Sequence, residues 1–293
     1  MAETMQTSIF CDIRCELGEG PAYEPDADTL WWFDIIGKRL MSRRMDGART
    51  QMHEVPVLAS AVAFDAQGRQ YLVTERGIEQ RDRVSGALTL LHPIEAETEA
   101  TRSNDSRVHP SGALWVGTMG KDPSAVEGAI YHVRDGALTR LFSGIRIPNA
   151  ICFSPAGDVA YFADTMINRL WRVACDTATG MPVAEPTVFL DQHSESGGLD
   201  GSVCDAEGVI WNARWSAARL DAYSPEGTRL RSIDLPALQT TCPAFVGAAA
   251  DRLVVTSAME GMSSEGRAKD AKGGMTFLLD VPVKGRHEPL FRP

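Results

Sequence analysis

The sequence contains no long apolar run and no cluster of basic residues. No segment approaches the ~20 apolar residues that a membrane-spanning helix needs. The first twenty residues lack the basic start and apolar stretch of a signal peptide. Lysine and arginine number 29 against 39 aspartate and glutamate residues, a net charge of −10, so no basic surface is offered to nucleic-acid phosphates or anionic lipids. We therefore expect a cytoplasmic protein that binds neither nucleic acid nor membrane.

Paired cysteines and the common catalytic motifs are also missing. The six cysteines form no C-x-x-C pair and no zinc-like spacing with histidine, so we expect free, buried thiols. The chain has no G-x-S-x-G, H-E-x-x-H, P-loop or dinucleotide-binding glycine motif. The chemistries that depend on those motifs are therefore not indicated.

What the sequence does contain is a repeated unit of two short apolar strands joined by a turn rich in Pro, Asp, Ala and Gly. Six such units follow one another: GPAYEPDADTLWWFDI, AVAFDAQGRQYLVTE, SRVHPSGALWVGTM, AICFSPAGDVAYFADT, GSVCDAEGVIWNARW and PAFVGAAADRLVVTSA. Their spacing of roughly 40 to 50 residues is that of four-stranded propeller blades. The segments between them supply outer hairpins, and helical periodicity is nearly absent.

This spacing predicts an all-β, six-bladed β-propeller that forms a single domain over residues 1–293. The segment GGMTFLLDVPV near the C-terminus is expected to pair with the N-terminal strand and close the ring, which removes exposed sheet edges. A pair of β-sandwiches would explain neither the even period nor the unbroken run of units.

One position recurs in every unit when the units are aligned on the first aliphatic residue after the turn. It holds, in order, Glu19, Ser60, Asn104, Asn149, Asp200 and Cys242. In a propeller the chain enters the innermost strand of each blade here, so these side chains should meet at the mouth of the central channel. The aspartate and glutamate carboxylates and the two asparagine amides are oxygen donors, which suit a hard divalent cation.

A simpler interpretation exists for each of these residues alone, because Asp or Asn before a strand most often caps a turn. Carboxylates that converge on one axis would, however, be costly to bury without a cation. We therefore predict one divalent metal ion in the channel, with Ca²⁺ favoured and Mg²⁺, Mn²⁺ or, less readily, Zn²⁺ as alternatives.

Several dispersed segments resemble the gluconolactonase, regucalcin and luciferin-regenerating-enzyme family, also known as the senescence marker protein family. They are LGEGP (17–21), RSNDSRVHPSGALWVGTM (102–119), IPNAICFSPAG (147–157), LDGSVCDAEGVIW around 200, and TTCPAF (240–245). The resemblance implies a metal-dependent hydrolase that opens sugar lactones to sugar acids. It also implies that Glu19, Asn149 and Asp200 hold the metal, that Asp200 is the general base, and that Arg102 and Asn104 hold the substrate.

The chain departs from that family at two places. Leu199 stands before Asp200 where many relatives have proline, and Gly120, Lys121 and Asp122 stand where some relatives carry acidic residues over the substrate. Lys121 and Arg214 suggest a lactone with an extra acidic group, such as an aldarolactone or a sulfonated gluconolactone. Alternatively, both are solvated surface charges. The candidate substrate-binding residues are Arg102, Asn104, Lys121, Asp122 and Arg214.

Two other functions fit the same pattern. One is a metal-dependent esterase or phosphotriesterase of the paraoxonase kind, which a wide apolar pocket would favour. The other is a noncatalytic calcium-binding or protein-binding propeller, since a propeller by itself implies no reaction. The preferred expectation remains an enzyme whose partner is a small sugar lactone.

Overall fold

The structure, a computed structural model, describes residues 6–293 and is built almost entirely of strands. The strands form six four-stranded antiparallel sheets, which confirms the predicted six-bladed β-propeller. Within the described residues the helical part is α1 (Ser264–Lys269), which lies in the loop before the last strand.

Each blade runs from the channel outward in the order of the sequence, apart from the first strand, β1 (Gln6–Cys11), which joins the last blade. Blade 1 contains β2 (Gly18–Glu24), β3 (Thr29–Asp34), β4 (Arg39–Arg44) and β5 (Gln51–Glu54). Blade 2 contains β6 (Ala59–Phe64), β7 (Gln70–Thr74), β8 (Gly77–Arg81) and β9 (Leu88–Pro93). Blade 3 contains β10 (Thr101–Val108), β11 (Leu114–Gly120), β12 (Gly128–Arg134) and β13 (Ala137–Ile145).

The second half of the chain repeats the arrangement. Blade 4 contains β14 (Pro148–Phe153), β15 (Val159–Asp164), β16 (Arg169–Ala174) and β17 (Thr187–Asp191). Blade 5 contains β18 (Gly198–Cys204), β19 (Ile210–Trp215), β20 (Arg219–Tyr223) and β21 (Arg229–Asp234). Blade 6 contains β22 (Gln239–Val246), β23 (Arg252–Ala258) and β24 (Thr276–Asp280), with β1 as its outer strand.

The hydrophobic core lies between neighbouring blades. Six apolar clusters fill the six interfaces around the ring. The second strand of each blade is covered on both faces and is largely buried and rich in apolar residues, as in TLWWFD of β3, where all six residues are buried. The outer strands are largely exposed, as in β13 and β21. Apolar packing therefore holds each blade against the next and leaves the axis free for polar groups.

The ring is closed by strands from the two ends of the chain. β1 pairs antiparallel with β24, with Gln6 opposite Asp280 and Ile9 opposite Phe277. This confirms the predicted closure, and it leaves blade 6 with strands from both termini.

The segment after β24 crosses the end of the propeller that lies opposite the starts of the inner strands. Arg286 Nη2 donates to the Phe153 carbonyl at 2.7 Å, and the Phe291 N–H donates to the Phe64 carbonyl at 2.7 Å. Phe291 is buried and packs edge-on against Tyr71. This C-terminal strap, residues 281–293, therefore ties several blades together at one end of the channel.

Two further expectations concern cysteines and membranes. All six cysteines are free and buried, as predicted. In residues 6–293 no helix is long and apolar enough to cross a membrane.

Candidate active site

A β-bulge occurs in the innermost strand of every blade at the repeated position. The register against the second strand shifts within 19–22, 59–61, 103–106, 149–152, 199–202 and 240–243. A bulge leaves residues out of the ladder and re-aims their side chains. Four of the six aligned residues, Ser60, Asn104, Asp200 and Cys242, lie among the residues left out of the ladder. The other two, Glu19 and Asn149, are the last paired residues before the shift.

Hydrogen bonds join neighbouring members of this ring. Asn104 Nδ2 donates to Asn149 Oδ1 at 3.2 Å, and Ser60 Oγ donates to the Asn104 carbonyl at 2.7 Å. Asn149 Nδ2 donates to Thr165 Oγ1 at 2.9 Å, and that hydroxyl donates to the Leu199 carbonyl at 2.6 Å. These bonds orient the two amides and link blades 2 to 5 at the channel mouth.

The carboxylates at the channel mouth are buried and repel one another. Burial raises the pKa of Glu19 to about 8, with the charge of Asp105 adding to the increase and the Gly20 N–H opposing it. Burial also raises the pKa of Asp200 well above its usual value, and the charges of Glu19 and Asp105 raise it further. The pKa of Asp105 is raised by burial and partly restored by Arg107. The site therefore holds negative charge at a free-energy cost that a bound cation would offset.

A cavity of about 630 Å³ opens above this ring. Six of its lining residues are ones that the sequence singled out: Glu19, Arg102, Asn104, Lys121, Asn149 and Asp200. Arg102 is buried, and its Nη1 donates to the Ser103 carbonyl and to Asn104 Oδ1, both at 2.9 Å. A volume of this size suits a small ligand with several polar groups.

Two predicted substrate-binding residues lie elsewhere, and both predictions are corrected. Arg214 is fully buried within blade 5, where Nη2 donates to the Gly197 carbonyl at 2.7 Å and Nε lies 3.8 Å from Asp221 Oδ2. Asp122 Oδ1 accepts hydrogen bonds from the Ser124 N–H at 3.0 Å and hydroxyl at 2.6 Å, which makes it a turn residue. Neither side chain lines the cavity.

Lys121 reaches the cavity but is already paired. Its Nζ lies 2.7 Å from Glu75 Oε2, and Glu75 Oε1 accepts the Leu58 N–H at 3.0 Å. The pair joins blade 2 to blade 3, so the cation is compensated by a carboxylate that the sequence did not single out.

Sequence reasoning also missed Trp215, Gln239 and Glu260, which line the cavity. Trp215 ends β19, and Glu260 follows β23. Since the second strand of a blade runs antiparallel to the first, its end returns to the face where the first strand starts. The same repeat alignment, applied to the ends of the second strands, would have found these two positions.

Arg107 is a buried residue further along β10, outside the lining of this cavity. Its Nη1 lies 2.8 Å from Glu288 Oε1 in the strap, its Nη2 donates to the Ser202 carbonyl at 3.1 Å, and its Nε contacts the Ile151 carbonyl at 3.4 Å. Arg107 therefore links three blades and the strap. A second cavity of about 290 Å³ lies beyond it, toward the opposite face.

Protein ligands for a metal would have to include an amide. Among residues 6–293, no three His, Cys, Asp or Glu side chains are placed to hold a metal together. The candidate set is instead two carboxylates and one amide, Glu19, Asp200 and Asn149, which all line the cavity. Such an all-oxygen set fits a hard cation.

Six four-stranded blades around a channel, with carboxylates and amides at one mouth, define a β-propeller with a polar cavity on its axis. The chain belongs to the SMP-30/Gluconolactonase/LRE-like family, whose sequence profile matches residues 17–259.

Known proteins resemble this chain over almost its whole length. A Rhizobium meliloti protein with the provisional name sugar lactone lactonase is 48% identical over 277 residues, covering 94% of each chain. The pentonolactonase XacC of Haloferax volcanii is 33% identical, covering 97% of each chain. The crystal structure of a calcium-binding protein, regucalcin, from Agrobacterium tumefaciens superposes with a TM-score of 0.96 at 44% identity, covering 99% of this chain and 98% of that one.

Proposed function

We propose that this protein hydrolyses a sugar lactone to its open-chain sugar acid with the help of one divalent cation. The observation that supports this most is the polar cavity in which Glu19, Asn149 and Asp200 lie beside Arg102 and Asn104. The names of relatives that share its length, a sugar lactone lactonase and a pentonolactonase, support the same reaction class. The reaction is hydrolysis of a carboxylic ester.

The donor set fits a hard divalent cation. Glu19 and Asp200 offer carboxylates whose raised pKa values reflect burial and mutual repulsion, and both effects would be relieved by a positive charge. Asn149 adds a neutral oxygen. Ca²⁺ accepts such mixed carboxylate and amide ligands, and a related protein is described as calcium-binding. When bound, the cation supplies Lewis acidity to the lactone carbonyl.

Arg102 and Asn104 would position the substrate. The Asn104 amide is fixed by hydrogen bonds to the Pro148 carbonyl at 2.9 Å and to Asn149 Oδ1. Arg102 uses Nη1 to bond the backbone and Asn104, while the residue lines the cavity. A rigid pair of polar side chains can hold sugar oxygens so that the ring carbonyl faces the ligand set, which lowers the entropic part of the barrier.

Asp200 would move the proton. Water adds to the lactone carbonyl carbon while Asp200 accepts its proton, the bond between that carbon and the ring oxygen breaks, and the proton is returned to the ring oxygen as a hydroxyl. One water is consumed and one hydroxy acid is formed.

Chelation tests this proposal. Removal of divalent cations should reduce hydrolysis of neutral aldonolactones by roughly 100-fold or more, because the Lewis acid contributes several kcal/mol, and Ca²⁺ should restore it. A pH-indicator assay of acid release, with and without EDTA, measures the effect. Full activity in metal-free protein would contradict the mechanism, and no lactone hydrolysis in any metal would favour the noncatalytic alternative.

A matched pair of variants in β2 sharpens the test. Glu19 and Glu24 are both 8% exposed, but Glu24 Oε2 accepts the Trp31 indole N–H at 2.9 Å and pairs with Arg83. Glu19→Gln should weaken Ca²⁺ binding measured by calorimetry and preserve the fold. Glu24→Gln should keep Ca²⁺ binding and lower stability. Equal Ca²⁺ affinities in the two variants would remove Glu19 from the ligand set.

A further inference from the structure

Among the described residues that line the cavity, Glu260 is the one carboxylate outside the proposed metal set. It lies in the turn after β23, is half-buried, and lines the cavity with Arg102 and Lys121. Within residues 6–293 its side chain makes no hydrogen bond or ion pair, while its backbone carbonyl accepts Gln239 Nε2 at 3.0 Å. The carboxylate is therefore available to a ligand.

The backbone that carries Glu260 is well fixed. The Gln239 amide holds its carbonyl, and the Met262 N–H donates to the Met259 carbonyl at 3.1 Å across the turn. The Met259 N–H in turn donates to the Glu16 carbonyl at 2.9 Å. A carboxylate on such an anchored turn can discriminate between substrates, because it does not simply move away from an unfavourable group.

Among the charged groups around the cavity, Glu260 has no charged partner side chain within residues 6–293, whereas Lys121 has one. Lys121 is compensated by Glu75 at 2.7 Å. Burial lowers the pKa of Arg102, and the charge of Glu260, followed by those of Glu19 and Asp200, opposes this decrease. Arg102 and Lys121 against Glu19, Glu75, Asp200 and Glu260 give two formal positive and four negative charges. One divalent cation would bring this total of −2 to zero.

A cavity with no net charge and one unpaired carboxylate favours a neutral ligand that carries hydroxyl groups. Sugar hydroxyls donate hydrogen bonds to carboxylates, and such charge-assisted bonds are stronger than neutral ones. A second acidic group on the lactone would instead lie near Glu260 and gain no net attraction from Lys121. The corrected position of Arg214 removes the other cation that could have favoured it.

We propose that Glu260 is a specificity-determining residue, whose carboxylate accepts hydrogen bonds from hydroxyls of the lactone and disfavours lactones that carry a second acidic group. This inference rests on the proposed lactonase function and names its substrate class as neutral polyhydroxylated lactones. It is the opposite of the acidic-lactone alternative considered from the sequence.

The test compares D-glucono-1,5-lactone with the acidic D-glucaro-1,4-lactone in the Ca²⁺-loaded protein. The parent should favour the neutral lactone in kcat/KM by at least about tenfold. Glu260→Gln should lower kcat/KM for the neutral lactone by about 10- to 100-fold, mainly through KM, because a charge-assisted hydrogen bond is lost. The neutral-to-acidic ratio should fall by at least about tenfold, and Glu260→Lys should reverse it.

Glu265→Gln is the matched control. Glu265 lies five residues further on in α1, is highly exposed and pairs with Lys269, so both kcat/KM values should stay at the parent level. The melting temperature of each Glu260 variant should match the parent, and all kcat/KM values are measured at saturating Ca²⁺, which separates a lost substrate contact from a damaged fold or a site without its cation.

The outcomes separate this inference from the function on which it rests. If the parent hydrolyses neither lactone, the proposed function is overturned and the inference with it. If the parent hydrolyses lactones but Glu260→Gln and Glu260→Lys leave the ratio unchanged, the role of Glu260 alone is overturned. A parent that prefers the acidic lactone would also overturn it.

Discussion

Two aspartates of blade 5 show how surroundings divide structural from functional residues. Asp205 is buried and its carboxylate is saturated, since Oδ1 accepts the Glu207 and Val209 N–H groups at 2.9 Å and Oδ2 accepts the Trp211 indole at 3.0 Å. Asp200 is equally buried, but burial and repulsion from Glu19 and Asp105 raise its pKa, an increase that the Gly201 backbone N–H opposes. A buried carboxylate so weakly satisfied indicates a site that binds something.

Substitution of each aspartate by asparagine should separate these roles. Asp200→Asn should reduce kcat by about 10² to 10⁴, because it removes proton transfer. In EDTA it should be at least as resistant to thermal unfolding as the parent, because a repelled charge is gone. Asp205→Asn should keep kcat and lower the melting temperature, because one acceptor becomes a donor. Steady-state kinetics and thermal unfolding measure both.

The opposite pattern would refute this division. If Asp200→Asn destabilises the metal-free protein while retaining turnover, Asp200 is a structural carboxylate and another residue must move the proton.

Sequence reasoning at this scale succeeded where the repeat constrained the answer. Glu19, Asn104, Asn149 and Asp200 share one position, so blade geometry brings them to the same cavity. Arg214 and Asp122 have no such constraint, and their orientation was decided by local partners, a backbone carbonyl and a turn hydroxyl. The orientation of a charged side chain depends on which hydrogen-bond partners lie near it in the folded structure, and the order of residues in the sequence does not show those partners.

At the scale of the element, the bulge in each inner strand is the feature that shapes the channel mouth. In β2 the bulge includes Gly20, with φ of +54°, and a Cβ there would lie 2.0 Å from the Ser60 carbonyl oxygen of the adjacent blade. The Gly20 N–H also donates to Glu19 Oε2 at 2.8 Å. The glycine therefore allows two inner strands to approach closely while it orients a proposed metal ligand.

A glycine pair isolates the effect of this close approach. Gly68→Ala places a side chain at a φ of +71° with nothing within 4 Å, and should cost about 1 kcal/mol of unfolding free energy from the left-handed backbone alone. Gly20→Ala should cost about 1–3 kcal/mol more, because the strands must separate, and should weaken Ca²⁺ binding. Urea unfolding and calorimetry measure the two effects.

Equal losses of stability from the two alanines would mean that the inner strands can shift at no cost. Unchanged Ca²⁺ affinity in Gly20→Ala would mean that the bulge does not position Glu19.

The strands were predictable from sequence because apolar runs and turn residues mark them, but the bulges were not. A bulge adds a residue to one strand against its partner, and it becomes visible only when the pairing is known. The repeat nevertheless located the position that the bulges occupy.

At the scale of the whole molecule, the buried guanidinium of Arg107 joins parts of the chain that are far apart in sequence. Arg107 belongs to blade 3, contacts carbonyls in blades 4 and 5, and pairs with Glu288 of the strap. The strap also forms an exposed ion pair between Lys284 and Glu207. Both ion pairs connect the strap to a blade, but Arg107 is buried whereas Lys284 and Glu207 are exposed.

This difference predicts unequal contributions to stability. Arg107→Met leaves carbonyls and Glu288 without their partner, and should lower the unfolding free energy by about 3 kcal/mol or more. Lys284→Met removes an exposed pair and should change it by less than about 1 kcal/mol. Urea unfolding monitored by tryptophan fluorescence distinguishes them. Similar values for the two variants would show that the strap is held by its apolar residues rather than by Arg107.

The pairing of β1 with β24 means that blade 6 must be the last blade to fold. Five blades are built from consecutive strands, so each can assemble as it leaves the ribosome, but blade 6 needs Gln6–Cys11 and Thr276–Asp280 together. Contacts so distant in sequence form late and slowly. Throughout synthesis the nascent chain therefore carries an unpaired N-terminal strand, and the interval between translation and ring closure is when it is most open to aggregation or chaperone binding.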